Sequence, residues 1–280
     1  MPASVRRRSP PMSLWTCTLD DGVVTAIYRN PPMNYFCAEG AAELGALVES
    51  WRDPAVKAVV LSGGMAGRFI THYSVEELLS YAEDRAAMRQ AGTALNDGYH
   101  ALLLGLRDLP KPVIVAMNGD AMGGGFELCL ACDLRIAQRG DFRYGLPEVK
   151  LGILPGGSGT QRLSRLIGAG RAIEFILRGR IVEPAVALEM GLVHELADDA
   201  LRRAQQIAHE MALTPPFAMA MAKRAVYEGS DTSLAAGLKL EGERFLETML
   251  SDGSVSAMRA YVAQPLEARR AWLEKPPAAR

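Results

Sequence analysis

The sequence predicts an α/β body followed by a helical C-terminal part. Two short apolar runs, at 56–64 and 112–119, read as buried strands and alternate with segments of helical spacing. From Gly159 onward nearly every signal is helical, which places the change of character near residue 200. Alternation of strand and helix argues parallel pairing, because a parallel strand is reached only through a crossover.

The elements follow in chain order. "GVVTAIYRN" (22–30) is rich in β-formers and stops at Asn30-Pro31-Pro32. "AEGAAELGALVESWRD" (38–53) puts Leu44, Leu47, Val48 and Trp51 on one helical stripe. "VKAVVLSGG" (56–64) is an apolar run closed by glycines. One long helix is expected from about Ala82 to Leu109, ended by Pro110 and Pro112. "PVIVAMNG" (112–119) is then a strand leading straight into the glycine run at 123–125. Pro184 and Gly191 mark the start and end of a helix. Further helices are expected at 199–212, 216–228, 232–249 and 254–271. The expected organisation is a disordered tail at 1–12, an α/β core at 13–200 and a helical region at 201–280.

Composition narrows the function class. The chain has 280 residues, 49% hydrophobic and 22% charged, which suits a globular protein with a full core. A net charge of -1 leaves no electrostatic footprint for nucleic acid or an anionic membrane, and neither is expected as a partner. No apolar run approaches the roughly 20 residues needed to span a bilayer. Cys129 and Cys132 form a C-x-x-C with no second pair and no nearby histidine, so no metal site is expected and both read as small buried apolar residues. The arginines of "MPASVRRRSPPMSLW" are followed by prolines, which fits neither a signal nor a transit peptide. A reduced, cytoplasmic protein is the expectation.

The chemistry concentrates in "GDAMGGGFELCLACD" (119–133), where three glycines precede a helix. A glycine inside a helix costs about 1 kcal/mol relative to alanine. A Walker loop needs G-K-[ST] here and a dinucleotide fingerprint needs G-x-G-x-x-G; neither is present. "GGSGT" (156–160) lacks the final glycine of a nucleophile elbow, so Ser158 reads as a turn or cap residue. A helix N-terminus does, however, present unpaired N–H groups with partial positive charge, and glycine lets a ligand atom approach them. Such donors suit an oxygen on which negative charge develops, with Glu127 one turn away as an acid or base.

"KPVIVAMNGDAMGGGFELCLACDLRIA", "YGLPEVKLGILPGGSGTQRLSRLIG" and "GRIVEPAVALEMGLVHEL", with a looser match back to "YRNPPMN", closely resemble the enoyl-CoA hydratase/isomerase (crotonase) superfamily. The resemblance runs from about residue 14 to 230. It implies a spiral of ββα units with a C-terminal helical region that assembles trimers or hexamers. It implies an acyl-CoA thioester as substrate, with coenzyme A as part of that substrate and no separate cofactor. The catalytic pair of the hydratases falls on Glu127 and Glu148, which lie 21 positions apart, one more than is usual; Arg139-Gly140-Asp141 is the place for the extra residue. One oxyanion donor falls on Gly124. The second falls on Tyr73 in "RFITHYSVEEL" (68–78), and the implied substrate contacts are Ile70, His72 and Gly123.

That loop departs from the family pattern. His72 stands where glycine is usual and Ser74 where aspartate is, although a backbone N–H at Tyr73 does not depend on its side chain. His72 is a substrate contact or extra acid/base group on one reading, and a packing residue on the other. His100, His194 and His209 have no partner cluster and read as structural. The C-terminal segment has Gln264-Pro265 where lysine is usual, leaving Arg269 or Arg270 as the nearest positive charge. Two carboxylates suit hydration of a 2-enoyl-CoA, one as base on water and one as proton donor to carbon. Double-bond isomerisation and hydration with retro-aldol cleavage remain as alternatives on the same fold. A catalytically silent scaffold or RNA-binding paralogue is the third possibility, opposed by both glutamates and the near-neutral charge.

Overall fold

Two runs without a charged residue, Ala58–Gly63 and Val113–Met117, lie side by side as parallel strands in the middle of a six-stranded sheet. The computed structural model describes residues 13–275, so the expected tail at 1–12 falls outside the described residues.

The chain enters the large sheet as an antiparallel pair, β1 (Trp15–Asp20) and β2 (Val23–Tyr28). Helix α1 (Ala38–Ser50) buries Leu44 and Val48, with Trp51 buried just beyond it, while Leu47 of the expected stripe is half-buried. β3 (Ala58–Gly63) joins β2 in parallel, and the two-residue β4 (Gly67–Arg68) opens a second, smaller sheet. Three helices follow: α2 (Val75–Glu83), α3 (Arg85–Ala91) and α4 (Ala94–Asp108). The single helix expected from Ala82 to Leu109 is therefore broken twice. Asp84 leaves the helix to cap α3, accepting from the Ala87 N–H, and Gly92 turns the chain at φ +57°.

β5 (Val113–Met117) does not run straight to the glycines as the sequence suggested. The chain first crosses to the small sheet as β6 (Gly119–Met122), and α5 (Gly124–Ala131) starts from there. β7 (Leu134–Gln138) returns to the large sheet and β8 (Tyr144–Gly145) to the small one. Thus β3-β4-α2 and β5-β6-α5 are successive ββα turns, each giving one strand to either sheet, and β7-β8 begins a third. A 3₁₀ turn at Glu148–Leu151 precedes α6 (Gly159–Ile167) and α7 (Ala169–Leu177). β9 (Ile181–Val182) closes the small sheet, and α8 (Pro184–Glu189) leads to β10 (Glu195–Ala197) at the edge of the large one. Pro184 does open α8, and Gly191 ends the turn after it at φ +74°.

The remaining helices are α9 (Ala200–Ala212), α10 (Pro216–Ser230), α11 (Leu234–Met249), α12 (Asp252–Val262) and α13 (Arg269–Glu274). The last expected stretch, 254–271, is divided at Pro265, which cannot supply a helical N–H. Both faces of the large sheet are covered, which explains its continuous apolar strands. Val59, Leu61, Val113 and Val115 face one cluster with Leu103, Leu106 and Phe126. Val60, Ala58, Ile114 and Ala116 face Ala200, Ala204 and Ala208, spaced four apart on α9. Cys129 and Cys132 are buried with their thiols turned onto the carbonyls of Gly125 and Leu128. Among the described residues, no helix is long and apolar enough to cross a membrane, and no group of three or more His, Cys, Asp or Glu side chains is placed to hold a metal.

Candidate active site

The glycine run packs the start of α5 against the backbone of the loop that leads to α2. Gly123 caps α5 at φ +49°, a left-handed conformation, and its N–H donates to the Gly145 carbonyl at 2.9 Å. A Cβ on Gly125 would lie 2.0 Å from the Ile70 carbonyl oxygen, so no side chain fits there. These two positions account for the helix propensity given up at 123–125.

This close approach sets two amides side by side. Phe36 bonds to the residues on either side of Tyr73, donating to His72 O at 2.8 Å and accepting from Ser74 N at 2.7 Å. The Tyr73 N–H therefore faces the other way, 3.6 Å from where a Cβ on Gly124 would stand. Neither the Tyr73 nor the Gly124 N–H has an acceptor among the described residues. The Gly124 carbonyl is held from behind by the Tyr99 hydroxyl at 2.6 Å. Two unpaired amides beside a helix start are donors available to an acceptor oxygen.

Glu127 and Glu148 are both buried, at 3% and 8% exposure, and they differ in how they are held. Glu127 Oε1 accepts from the Gly159 N–H at 2.7 Å, and the neighbouring Gly157 amide also favours its charged form. Glu148 begins the 3₁₀ turn after Pro147, and neither of its oxygens has a hydrogen-bond partner among the described residues. Its Oε1 sits 3.2 Å from where a Cβ on Gly123 would be. Burial raises both carboxyls above their ordinary value, and repulsion within the pair adds to the rise. A buried pair of this kind favours a shared proton over two full charges.

The other expected contacts divide. His72 lies beside Gly123, with its Cβ 3.9 Å from the position a Gly123 side chain would take. Its Nδ1–H donates to the Tyr73 carbonyl at 2.6 Å, and its ring stacks on Tyr35 at 4.1 Å. Ile70 is fully buried against Gly125 and presents no exposed surface. Arg139-Gly140-Asp141 lies in the β7–β8 connection, between the two glutamates in the chain.

Several residues of the site carry no signal in the sequence. The Gly159 amide, which fixes Glu127, and the Gly157 amide near it belong to the "GGSGT" segment. Ser158 there stands before α6 at φ +85° and accepts from Arg162 Nε at 2.8 Å. His100 holds the same segment, its Nε2–H donating to the Gly156 carbonyl at 2.7 Å. His194 accepts the Arg135 N–H through Nδ1 at 3.1 Å, and His209 is 3.7 Å from Asp20.

The raised carboxyls have a measurable consequence for stability. Glu148 is pushed up by burial from near 4.5 to about 7. Between those values the folded state holds more protons than the unfolded one, so stability falls as pH rises. Glu148→Gln removes that loss. The variant is expected to melt level with wild type near about pH 4 and progressively higher than it toward about pH 8. Parallel melting curves across that range would overturn the assignment of a raised carboxyl.

A family model described as enoyl-CoA hydratase/isomerase matches residues 19–272. The putative enoyl-CoA hydratase/isomerase YngF of Bacillus subtilis is 34% identical over 255 residues, covering 89% of this chain and 94% of that protein. The short-chain-enoyl-CoA hydratase of Clostridium acetobutylicum is 33% identical over 242 residues, covering 85% of this chain and 90% of its own. The crystal structure of an enoyl-CoA hydratase from Bacillus anthracis superposes with a TM-score of 0.81 at 30% identity, covering 89% of this chain and 95% of that one.

Proposed function

The chain belongs to the enoyl-CoA hydratase/isomerase family, and from that premise we propose that it hydrates a 2-enoyl-CoA thioester to a 3-hydroxyacyl-CoA. One observation carries the choice of hydration: two buried carboxyls, Glu127 and Glu148, flank a pair of unpaired amides. The thioester oxygen accepts from Gly124 N–H and Tyr73 N–H. Glu127, held by amides as an ionised carboxylate requires, takes a proton from water. The water oxygen bonds the β-carbon, and the electron pair of the double bond moves to the thioester oxygen as an enolate. Glu148 then delivers its proton to the α-carbon, and the enolate collapses. The step needs one proton in the pair, which is what burial and mutual repulsion provide.

Hydration is tested by the loss of enoyl absorbance with a panel of 2-enoyl-CoA thioesters, from short linear to aromatic. At least one member is expected to reach a kcat/KM of about 10⁴ M⁻¹s⁻¹ or more. If no member is hydrated while a 3-enoyl-CoA is converted to the conjugated isomer, the reading moves to isomerisation. Release of a shorter acyl-CoA together with an aldehyde or ketone would move it to hydration with retro-aldol cleavage.

A further inference from the structure

The "GGSGT" segment holds a strained residue that the catalytic steps leave unused. Ser158 adopts φ +85° and ψ 5°, the left-handed region that is unfavourable for a residue with a Cβ. Asp21 and Asn34 are the other non-glycine residues with positive φ among the described residues, and both are of types that tolerate it. Serine is not. Such strain persists only where its surroundings over-determine it. Here the restraint is Arg162, one turn into α6, whose Nε–H donates to Ser158 Oγ at 2.8 Å. The guanidinium is anchored in turn on the Leu103 carbonyl of α4 at 3.3 Å.

A left-handed residue in such a turn aims successive N–H groups to one side, a concavity suited to an anion. The anion in this one is the Glu127 carboxylate. A Cβ on Gly157 would stand 2.5 Å from Glu127 Oε2, and one on Gly159 2.8 Å from Oε1, so the carboxylate lies directly on the main chain. Among the described residues no side chain donates to it, and Leu146 packs an apolar surface against Gly159. Three side chains from other elements bear on its charge. Glu148 of the 3₁₀ turn repels it, the buried Tyr99 phenol of α4 stays neutral, and Arg162 of α6 attracts it. Around Arg162 itself stand Arg107 and Asp108 at the end of α4, Tyr227 of α10 and Cys132 at the end of α5.

We propose that Ser158 and Arg162 form a clamp that positions the catalytic base: the serine hydroxyl, held by the guanidinium, keeps the turn left-handed and its amides facing the Glu127 carboxylate. The inference rests on the hydratase reading above, which makes Glu127 the base, and adds two positioning residues to it. Arg162 acts through the hydrogen bond that fixes the turn and through a charge that no accessible pH removes. The clamp also decides which carboxyl of the pair is ionised. Amides and a nearby cation favour charge on Glu127, whereas the Glu148 oxygens have no donor among the described residues and keep the shared proton.

Infrared titration of the substrate-free protein reads the Glu127 carboxyl directly. A Glu148→Gln background removes the coupled partner, and adding Glu127→Gln identifies the band. Arg162→Met keeps the apolar stem and removes both charge and donor. It is expected to move the Glu127 midpoint up by about one pH unit, because losing a nearby cation favours the neutral acid. Ser158→Ala removes the hydroxyl alone and is expected to move the midpoint the same way. Arg162→Lys keeps a charge and a donor and is expected to restore the parent midpoint. An unmoved midpoint in Arg162→Met or Ser158→Ala, or one as displaced in Arg162→Lys as in Arg162→Met, overturns the clamp. Should Arg162→Met fail to fold, an unmoved midpoint in Ser158→Ala overturns it alone. The titration needs no turnover, so the two claims fail separately. Displaced midpoints without hydration of any thioester remove the hydratase reading alone, and hydration with unmoved midpoints removes the clamp alone.

Discussion

Glu127→Gln and Glu148→Gln are each expected to slow hydration by about 10²–10⁴, and the double variant by less than the product of the two. Glutamine keeps the shape and the reach of either side chain, and at Glu127 it retains an oxygen to accept from Gly159 N–H. What disappears is the ability to hold or give a proton. Hydration needs both roles in one turnover, because water must lose a proton while carbon gains one. Steady-state rates on the best substrate of the thioester panel decide this. Full hydratase activity in Glu127→Gln would remove the two-carboxylate mechanism. Loss of all turnover in Glu148→Gln, with little change in Glu127→Gln, would point to proton shuttling by one carboxyl, as isomerisation requires.

Gly125→Ala is the second large effect, and it acts through the backbone. The new methyl would stand 2.0 Å from the Ile70 carbonyl oxygen and 2.9 Å from its carbon. Those are main-chain atoms of the loop that presents Tyr73, so relief comes only by moving α5 away from the loop. The cost is expected at the upper end of the roughly 1–3 kcal/mol typical of overpacking, read from urea unfolding. Whatever folds has its two amides set apart, and displacing one oxyanion donor is worth about 10²–10³ in rate. The same substitution at Gly242, on α11 with no atom near its Cβ, is expected to stabilise by up to about 1 kcal/mol. Equal stabilities for the two variants would contradict the packing described here.

The sequence was most legible where one kind of signal acted alone. β3 and β5 are buried on both faces and read as apolar runs, and α1 shows its stripe through Leu44, Val48 and Trp51. β1 was hidden because five of its six residues are exposed. β7 was hidden because Arg135 sits in its interior, buried by bonds to the carbonyls of Leu192 and Cys132. β6 was hidden by its brevity and by the glycine that opens it, although a Cβ on Gly119 would stand 2.1 Å from the Arg68 nitrogen.

The site divides along the same line. Glu127 and Glu148 are marked by their own letters and by the motifs around them. The Gly157 and Gly159 amides are not, because a backbone N–H is present at every residue except proline and only the fold says which ones converge. Tyr99 reads as one more residue of a helix stripe until its hydroxyl is seen on the Gly124 carbonyl. The phosphate-loop readings failed on missing letters, whereas the oxyanion reading rested on the absence of side chains.

That absence has a consequence for how this scaffold can change. In the proposed mechanism the groups offered to the developing negative charge are main-chain atoms at Tyr73 and Gly124, so no substitution at position 73 other than proline deletes the donor there. The rings of His72 and Tyr73 can be exchanged to resculpt the chamber while the charge-handling atoms stay in place. What the chain must preserve at 123–125 is a set of prohibitions, positions where any added carbon collides or forces an unfavourable turn. Catalytic information is thus stored partly as empty volume. New substrate preferences can be explored on this framework by altering what surrounds that volume, with the electrostatic centre carried along unchanged.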